Sequence, residues 1–325
     1  VGVKTAQVGG LTTEIWYPAQ AGTESGAQKT RYDIRDWLPA SEKTKIPDAD
    51  APSQVCDCYR DLPLDASHGP YPVVFFVHGT AGFRTQSLEL VTHWASRGFV
   101  VVAADHPGLD LPDLLTFACG GAMPAQHLDA DVLALTSALG APSGDVAFLA
   151  GHVDATRVGM AGHSAGGAEI SKEGDLADVL IPMAGGGPKG GARLKSTLIL
   201  GALEDKVVPY ASAQSAFTAA PSPKRLVGLS PAGHLVFSSL CGITNAAGQD
   251  IVAIGKANNV CGLSLASGLF DCSASYVSTA RGLLIVGDAS SAAFEETLQC
   301  APARGAWLSG IRDRYPEVAE AQEAL

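Results

Sequence analysis

The chain is predicted to be an α/β protein with a mostly parallel central sheet flanked by helices on both faces. Three observations predict it. Residues 72–77 and 99–104 are short, continuously apolar runs, the pattern of strands buried on both faces. Stretches of helical periodicity alternate with such runs, as crossovers between parallel strands require. The 325 residues, 46% of them hydrophobic, are enough for one large domain with a sizeable core.

The elements follow in order. Residues 3–17 alternate loosely and end in Ile15-Trp16-Tyr17-Pro18, which predicts an antiparallel strand pair. Residues 19–70 are polar with scattered Pro and Asp, and read as a long irregular excursion packed over the domain. The strand at 72–77 leads to a helix at 87–97 and a buried strand at 99–104. Residues 109–127 read as a loop able to cover a site. A helix at 128–139, a strand at 157–161 and a helix at 165–173 come next. Strands follow at 179–183, 197–200 and, last, 226–229. Residues 236–290 read as a Cys-containing, loop-rich insertion, followed by helices at 291–298 and near 304–314. There is no internal repeat, so a single domain over 1–325 is expected.

Composition excludes several classes. The formal net charge is −11 and the 22 Lys and Arg form no cluster, which argues against nucleic acid as a partner. The longest apolar runs fall far short of the ~20 residues that a bilayer span needs. A first residue of Val rather than Met reads as a mature or trimmed form, and a secreted protein, extracellular or periplasmic, is expected. A monomer is expected.

The seven cysteines are Cys56, Cys58, Cys119, Cys241, Cys261, Cys272 and Cys300. Four lie in the last third among Gly- and Ser-rich stretches, where a disulfide framework is expected, and four cysteines allow three connectivities. Cys261–Cys272 with Cys241–Cys300 is the favoured pairing. Cys56-Asp57-Cys58 reads as too tight for an easy internal bridge. No second Cys or His pair has zinc-ligand spacing, so no metal is expected.

Gly162-His163-Ser164-Ala165-Gly166 is the only G-x-S-x-G in the chain, and it joins an apolar strand to a helix-compatible run. That context presents a serine on a sharp strand-to-helix turn as a nucleophile, with small residues on either side letting the backbone bend. Ser164 needs a base oriented by a carboxylate, and on such a turn the acid precedes the histidine in chain order. Of eight histidines only His234 follows Ser164. Asp205 is the favoured acid, Glu204 its rival; Glu173, Asp175 and Asp178 lie too close behind the elbow helix. His163 reads as a support beside the elbow and the substrate, with its side chain turned away from that of Ser164. An oxyanion needs donors. One is expected from the Ala165 backbone, the second from Thr80 or Ala81 in His78-Gly79-Thr80-Ala81-Gly82. Ala81 is also expected to touch substrate.

These residues carry a resemblance. His78-Gly79, Ser96-Arg97-Gly98-Phe99-Val100-Val101, the elbow 162–167, Asp205-Lys206-Val207-Val208-Pro209 and Gly233-His234 resemble the dienelactone hydrolase and platelet-activating-factor acetylhydrolase-like branch of the α/β-hydrolases. Bacterial cutinases and polyester (PET) hydrolases are its neighbours. The resemblance spans residues ~70–235, loosely also 2–18, and not the tail. It implies the α/β-hydrolase fold, a triad of Ser164, Asp205 and His234, and Thr80 and Ala165 at the oxyanion hole. It further implies a serine carboxylester hydrolase working through an acyl-enzyme, on a small or polymeric ester, without cofactor. Polyester hydrolases usually carry an aromatic where Thr80 stands and a Trp where this chain has Ala184-Gly185-Gly186-Gly187, so polyester cleavage is the alternative. A catalytically silent binding protein of the same fold is the reading from another class.

Overall fold

A computed structural model describes the backbone of residues 1–325 and all side chains outside residues 265–267. The strands are β1 (Gly2–Val8), β2 (Leu11–Tyr17), β3 (Arg31–Asp33), β4 (Ser53–Val55), β5 (Tyr59–Arg60), β6 (Tyr71–Val77), β7 (Val100–Ala104), β8 (Val153–His163), β9 (Val179–Met183), β10 (Ser196–Ala202), β11 (Lys224–Leu229) and β12 (Val318–Ala324). The helices are α1 (Ala40–Lys43), α2 (Leu88–Ser96), α3 (Leu111–Ala118), α4 (Leu128–Gly140), α5 (Ala165–Ile170), α6 (Tyr210–Ala219), α7 (Ile251–Ala257), α8 (Leu263–Leu269), α9 (Thr279–Leu298) and α10 (Pro302–Ser309).

Ten strands form one sheet in the order β12-β11-β10-β9-β8-β6-β7-β2-β1-β5. Pairing is parallel from β11 through to β7, and antiparallel where β12 joins β11, β2 joins β7 and β1 joins β2. Every residue of β6, β7 and β9 is buried, which is why these strands read as unbroken apolar runs. Successive side chains of a strand point to opposite faces, so β6 feeds two cores. Val74 and Phe76 pack with Trp94 of α2 and Phe294 of α9; Val73, Phe75 and Val77 pack with Leu135 and Leu139 of α4. The Trp94 and Phe294 rings meet edge to face at 5.5 Å. Burying each such side chain contributes about 2–3 kcal/mol.

Several expectations need correction. The strand at 226–229 is not the last: residues 318–324 return along its edge as β12. That strand reads Val-Ala-Glu-Ala-Gln-Glu-Ala, a composition of low strand propensity that only its position on the sheet edge makes extended. Helix α6 went unpredicted, and α5 stops at Ile170 rather than 173. Residues 109–127 contain α3, whose N-cap Asp110 accepts the Asp113 amide. Residues 236–290 hold α7, α8 and the start of α9. Helix α9 begins at Thr279, not 291, because Ser278 caps it by accepting the Arg281 amide. Gly282, Gly287, Ser290 and Ser291, all weak helix formers, mask that helix in the sequence.

The disulfides also differ. The bridges are Cys56–Cys58, Cys119–Cys261 and Cys241–Cys272, and Cys300 is an exposed thiol. Cys56 and Cys58 have Cα atoms 5.0 Å apart, within ordinary bridging reach. Cys261 sits across from the end of α3, so tertiary packing overrides nearness to Cys272. Among the described residues no helix is long and apolar enough to cross a membrane.

Candidate active site

Ser164 stands between β8 and α5 with φ of +55° and ψ of −118°. A non-glycine residue is strained there by about 1–3 kcal/mol, and a turn that tight needs its neighbours small. A Cβ on Gly162 would lie 2.4 Å from the Gly166 carbonyl oxygen, and one on Gly166 2.2 Å from that of Val77. The Ser164 amide donates to the Met183 carbonyl at 2.8 Å, tying the turn to β9. Among the described residues the Ser164 hydroxyl makes no hydrogen bond, and it opens on a cavity that His234 also lines.

His234 follows β11 in a short 3-10 turn and is 2% exposed. Its Nδ1 is 2.8 Å from Asp205 Oδ2. The other Asp205 oxygen accepts the Val207 and Val208 amides, each at 2.8 Å. These bonds aim the carboxylate, which favours N–H on Nδ1 of His234 and leaves Nε2 a bare acceptor. Glu204, the rival acid, faces elsewhere: it accepts from Ser230 Oγ and the Ala232 amide, both at 2.7 Å. It braces the loop that delivers His234. The His234 amide lies 3.4 Å from Asp271 Oδ2, a contact from the insertion.

His163 is fully engaged by protein. Its Nδ1 accepts from Gln86 Nε2 at 2.8 Å, and its Nε2 donates to the His234 carbonyl at 3.0 Å. Burial first, and the neighbouring His234 ring second, hold it well below its ordinary pKa, so it is neutral. Its ring borders the cavity, and both of its nitrogens are taken up by protein partners. Gln86 completes a relay, because its Oε1 accepts the Gly79 amide at 3.2 Å. One side chain thereby links the loop after β6, the elbow and the histidine loop. Gln86 carried no signal in the sequence beyond lying seven positions past Gly79.

The loop after β6 is held by His78, whose Nδ1 donates to the Gly79 carbonyl at 2.9 Å and whose Nε2 accepts the His106 amide at 3.3 Å. Burial, and then the nearby His106, hold His78 down to about 3. Of the two alternative donors, Ala81 is committed: its amide donates to the Leu109 carbonyl at 2.9 Å. Thr80 and Ala81 both line the cavity. Ala165 opens α5, where helix geometry leaves its N–H without an intrahelical acceptor.

Comparisons with known proteins bear on the fold. The model of the family "platelet-activating factor acetylhydrolase, isoform II" matches residues 14–121, a segment that ends before the elbow. A ferulic acid esterase from Streptomyces cinnamoneus superposes with a TM-score of 0.56 at 17% identity, over 97% of this chain and 89% of that one. The chain has the α/β-hydrolase fold. No curated protein matches it.

In the α/β-hydrolase fold as this chain builds it, positions 185 and 187 in the loop after β9 have no room for an aromatic side chain. A Cβ on Gly185 would sit 2.1 Å from the Ser164 carbonyl oxygen, and one on Gly187 would lie 2.9 Å from Ala216 Cβ. The glycines after β9 are there because that loop packs directly on the elbow and on α6.

Proposed function

We propose that this protein is a serine carboxylester hydrolase whose triad is Ser164, His234 and Asp205. The observation that carries the proposal is the buried His234–Asp205 pair, 2.8 Å apart, on the wall of the cavity that the strained Ser164 enters. In the first step Ser164 Oγ bonds to the ester carbonyl carbon while its proton passes to His234 Nε2. The carbonyl electrons move onto oxygen, where the amides of Thr80 and Ala165 stabilise them. Asp205 stabilises the imidazolium without taking its proton. Collapse expels the alcohol, which leaves with the proton from His234. Water then attacks the acyl-enzyme, giving its proton to His234, and the acid departs as Ser164 is restored.

A monomeric ester is favoured over a polyester. The aromatic pair that would clamp a polymer chain is absent at Thr80 and at 184–187, and position 185 has no space for a ring. Three disulfides favour a secreted enzyme. The deciding experiment pairs p-nitrophenyl ester turnover with labelling by a fluorophosphonate. Labelling and turnover that both vanish in Ser164→Ala, by roughly 10⁴-fold or more in rate, support the proposal. A wild-type protein that neither labels nor turns over any ester is instead a silent binding protein.

A further inference from the structure

We propose that the cavity at Ser164 is a built pocket for one long aliphatic chain, so that the substrate is a fatty ester rather than an ester of a short or hydroxyaromatic acid; this rests on the hydrolase reading above. The cavity has a volume of about 490 Å³. A methylene occupies about as much space as the ~30 Å³ of a water molecule in the liquid, so the pocket has room for a chain of a dozen carbons or more.

Its walls are apolar and come from three segments outside the central sheet. Residues 34–52 supply Ile34, Leu38 and Ile46; α3 supplies Leu111, Leu114 and Leu115. The insertion supplies Ile251 and Ile254 of α7, with Val260 and Leu263. Leu38, Ile46, Ile254, Val260 and Leu263 form an apolar cluster separate from the sheet cores.

Away from Ser164, His234 and the exposed Thr80, the polar side chains on the wall are few and spent. Arg35 is bound to Asp33, Asp48 and the Ile46 carbonyl. Gln86 and His163 are bound to each other, to Gly79 and to the His234 carbonyl. A phenol hydroxyl in the apolar part would be buried without a partner, which costs tenfold or more in affinity. An acetyl group would leave most of the space unfilled.

The walls are cross-linked, so the pocket is preformed. Cys119–Cys261 joins α3 to the insertion. Buried Glu42 accepts the Cys261 amide at 2.7 Å and the Lys45 ammonium at 2.8 Å, joining the first segment to the third.

Three measurements test it. Along p-nitrophenyl esters from C2 to C16, kept below their aggregation limits, kcat/KM is expected to rise up to about fourfold per methylene and to peak at C10 or longer. A parallel series of n-alkyl acetates tests the alcohol side: a rise along the acyl series supports the proposal, and a rise confined to the acetates overturns it. A peak at C2–C4 in both, or faster cleavage of a feruloyl than of a decanoyl ester, overturns the pocket and leaves the hydrolase standing. Absence of both turnover and fluorophosphonate labelling overturns the hydrolase instead. The pocket is then judged by displacement of a fluorescent fatty acid by dodecanoate on Ser164→Ala protein: micromolar binding supports it, and none overturns it. Leu115→Trp is expected to lower the C12-to-C4 ratio of kcat/KM at least tenfold, and Leu38→Trp, from another wall, serves if the first does not fold. An unchanged ratio in a folded variant overturns the assignment.

Discussion

His163 Nε2 donates to the backbone carbonyl of His234 across 3.0 Å, so the residue before Ser164 holds the loop that carries His234. The two rings lie 4.6 Å apart between centroids. Gln86 fixes His163 from the other side and reaches Gly79, so three loops share one neutral relay. A chain of neutral donors and acceptors positions the site without adding a charge beside His234.

The first prediction concerns that relay. His163 is a positioning residue, and a displacement of about 1 Å at a reacting group costs about 100-fold. His163→Ala should lower kcat 10- to 100-fold on a short ester, with KM within about threefold and fluorophosphonate labelling slowed in parallel. His163→Gln, which keeps an N–H to offer the His234 carbonyl, should recover part of the loss. Equal losses in the two variants would mean that His163 only fills space.

The adjacent carboxylates Glu204 and Asp205 should separate cleanly. Asp205→Asn leaves His234 Nδ1 facing an amide and should lower kcat by about 10⁴-fold with little change in stability. Glu204→Gln weakens the bonds to Ser230 and Ala232, and should cost about 1–3 kcal/mol in urea unfolding while most activity survives. Steady-state kinetics and denaturation on the same two proteins make the comparison. The reverse pattern would move the acid to Glu204.

What could be read from the sequence divides along physical lines. The buried parallel strands were legible because a strand covered on both faces must be apolar throughout, as β6 and β7 are. Ser164, Asp205 and His234 stood out because the chemistry restricts residue type and chain order, and the structure sets the last two side by side. Gln86 was not legible: its role depends on touching Gly79 and His163 at once, and a lone glutamine has no pattern. Strand β12 was hidden because pairing with β11, rather than its own composition, makes it extended. The partner of Cys119 has no cue in the sequence, since only the fold brings it to Cys261 over a separation of 142 residues.

Backbone strain at Ser164 makes a prediction of its own. With φ at +55°, Ser164 occupies a conformation that glycine adopts freely and alanine does not. Glycine ordinarily destabilises relative to alanine, by about 0.5–1 kcal/mol. Here the order should invert: Ser164→Gly should be more stable than Ser164→Ala by about 1 kcal/mol in urea unfolding, with both inactive. Alanine the more stable of the two would show that the elbow stores no strain.

Acid sensitivity should come in part from His78. Its pKa is held down to about 3 in the folded protein, against an ordinary value of 6.5. At pH 7.5 the ring is neutral folded and unfolded, and the shift costs nothing. As pH falls below 6.5 the unfolded chain takes up a proton that the folded one refuses, so stability drops by up to about 1.4 kcal/mol per pH unit until the folded pKa is reached. His163, whose pKa is also lowered, acts in the same direction. Asp110 opposes them: burial pushes it up to about 7, so the folded state binds its proton first and gains stability as pH falls through that value. The His78 share is isolated by comparison with His78→Gln, which keeps Asp110 and His163. The variant should be less stable at pH 7.5, where it loses the bonds to Gly79 and His106, and the gap should narrow from pH 6.5 to pH 4.5. Unfolding free energies from urea titrations at each pH measure it, and a gap that stays constant over that range would show that His78 takes up a proton as readily folded as unfolded.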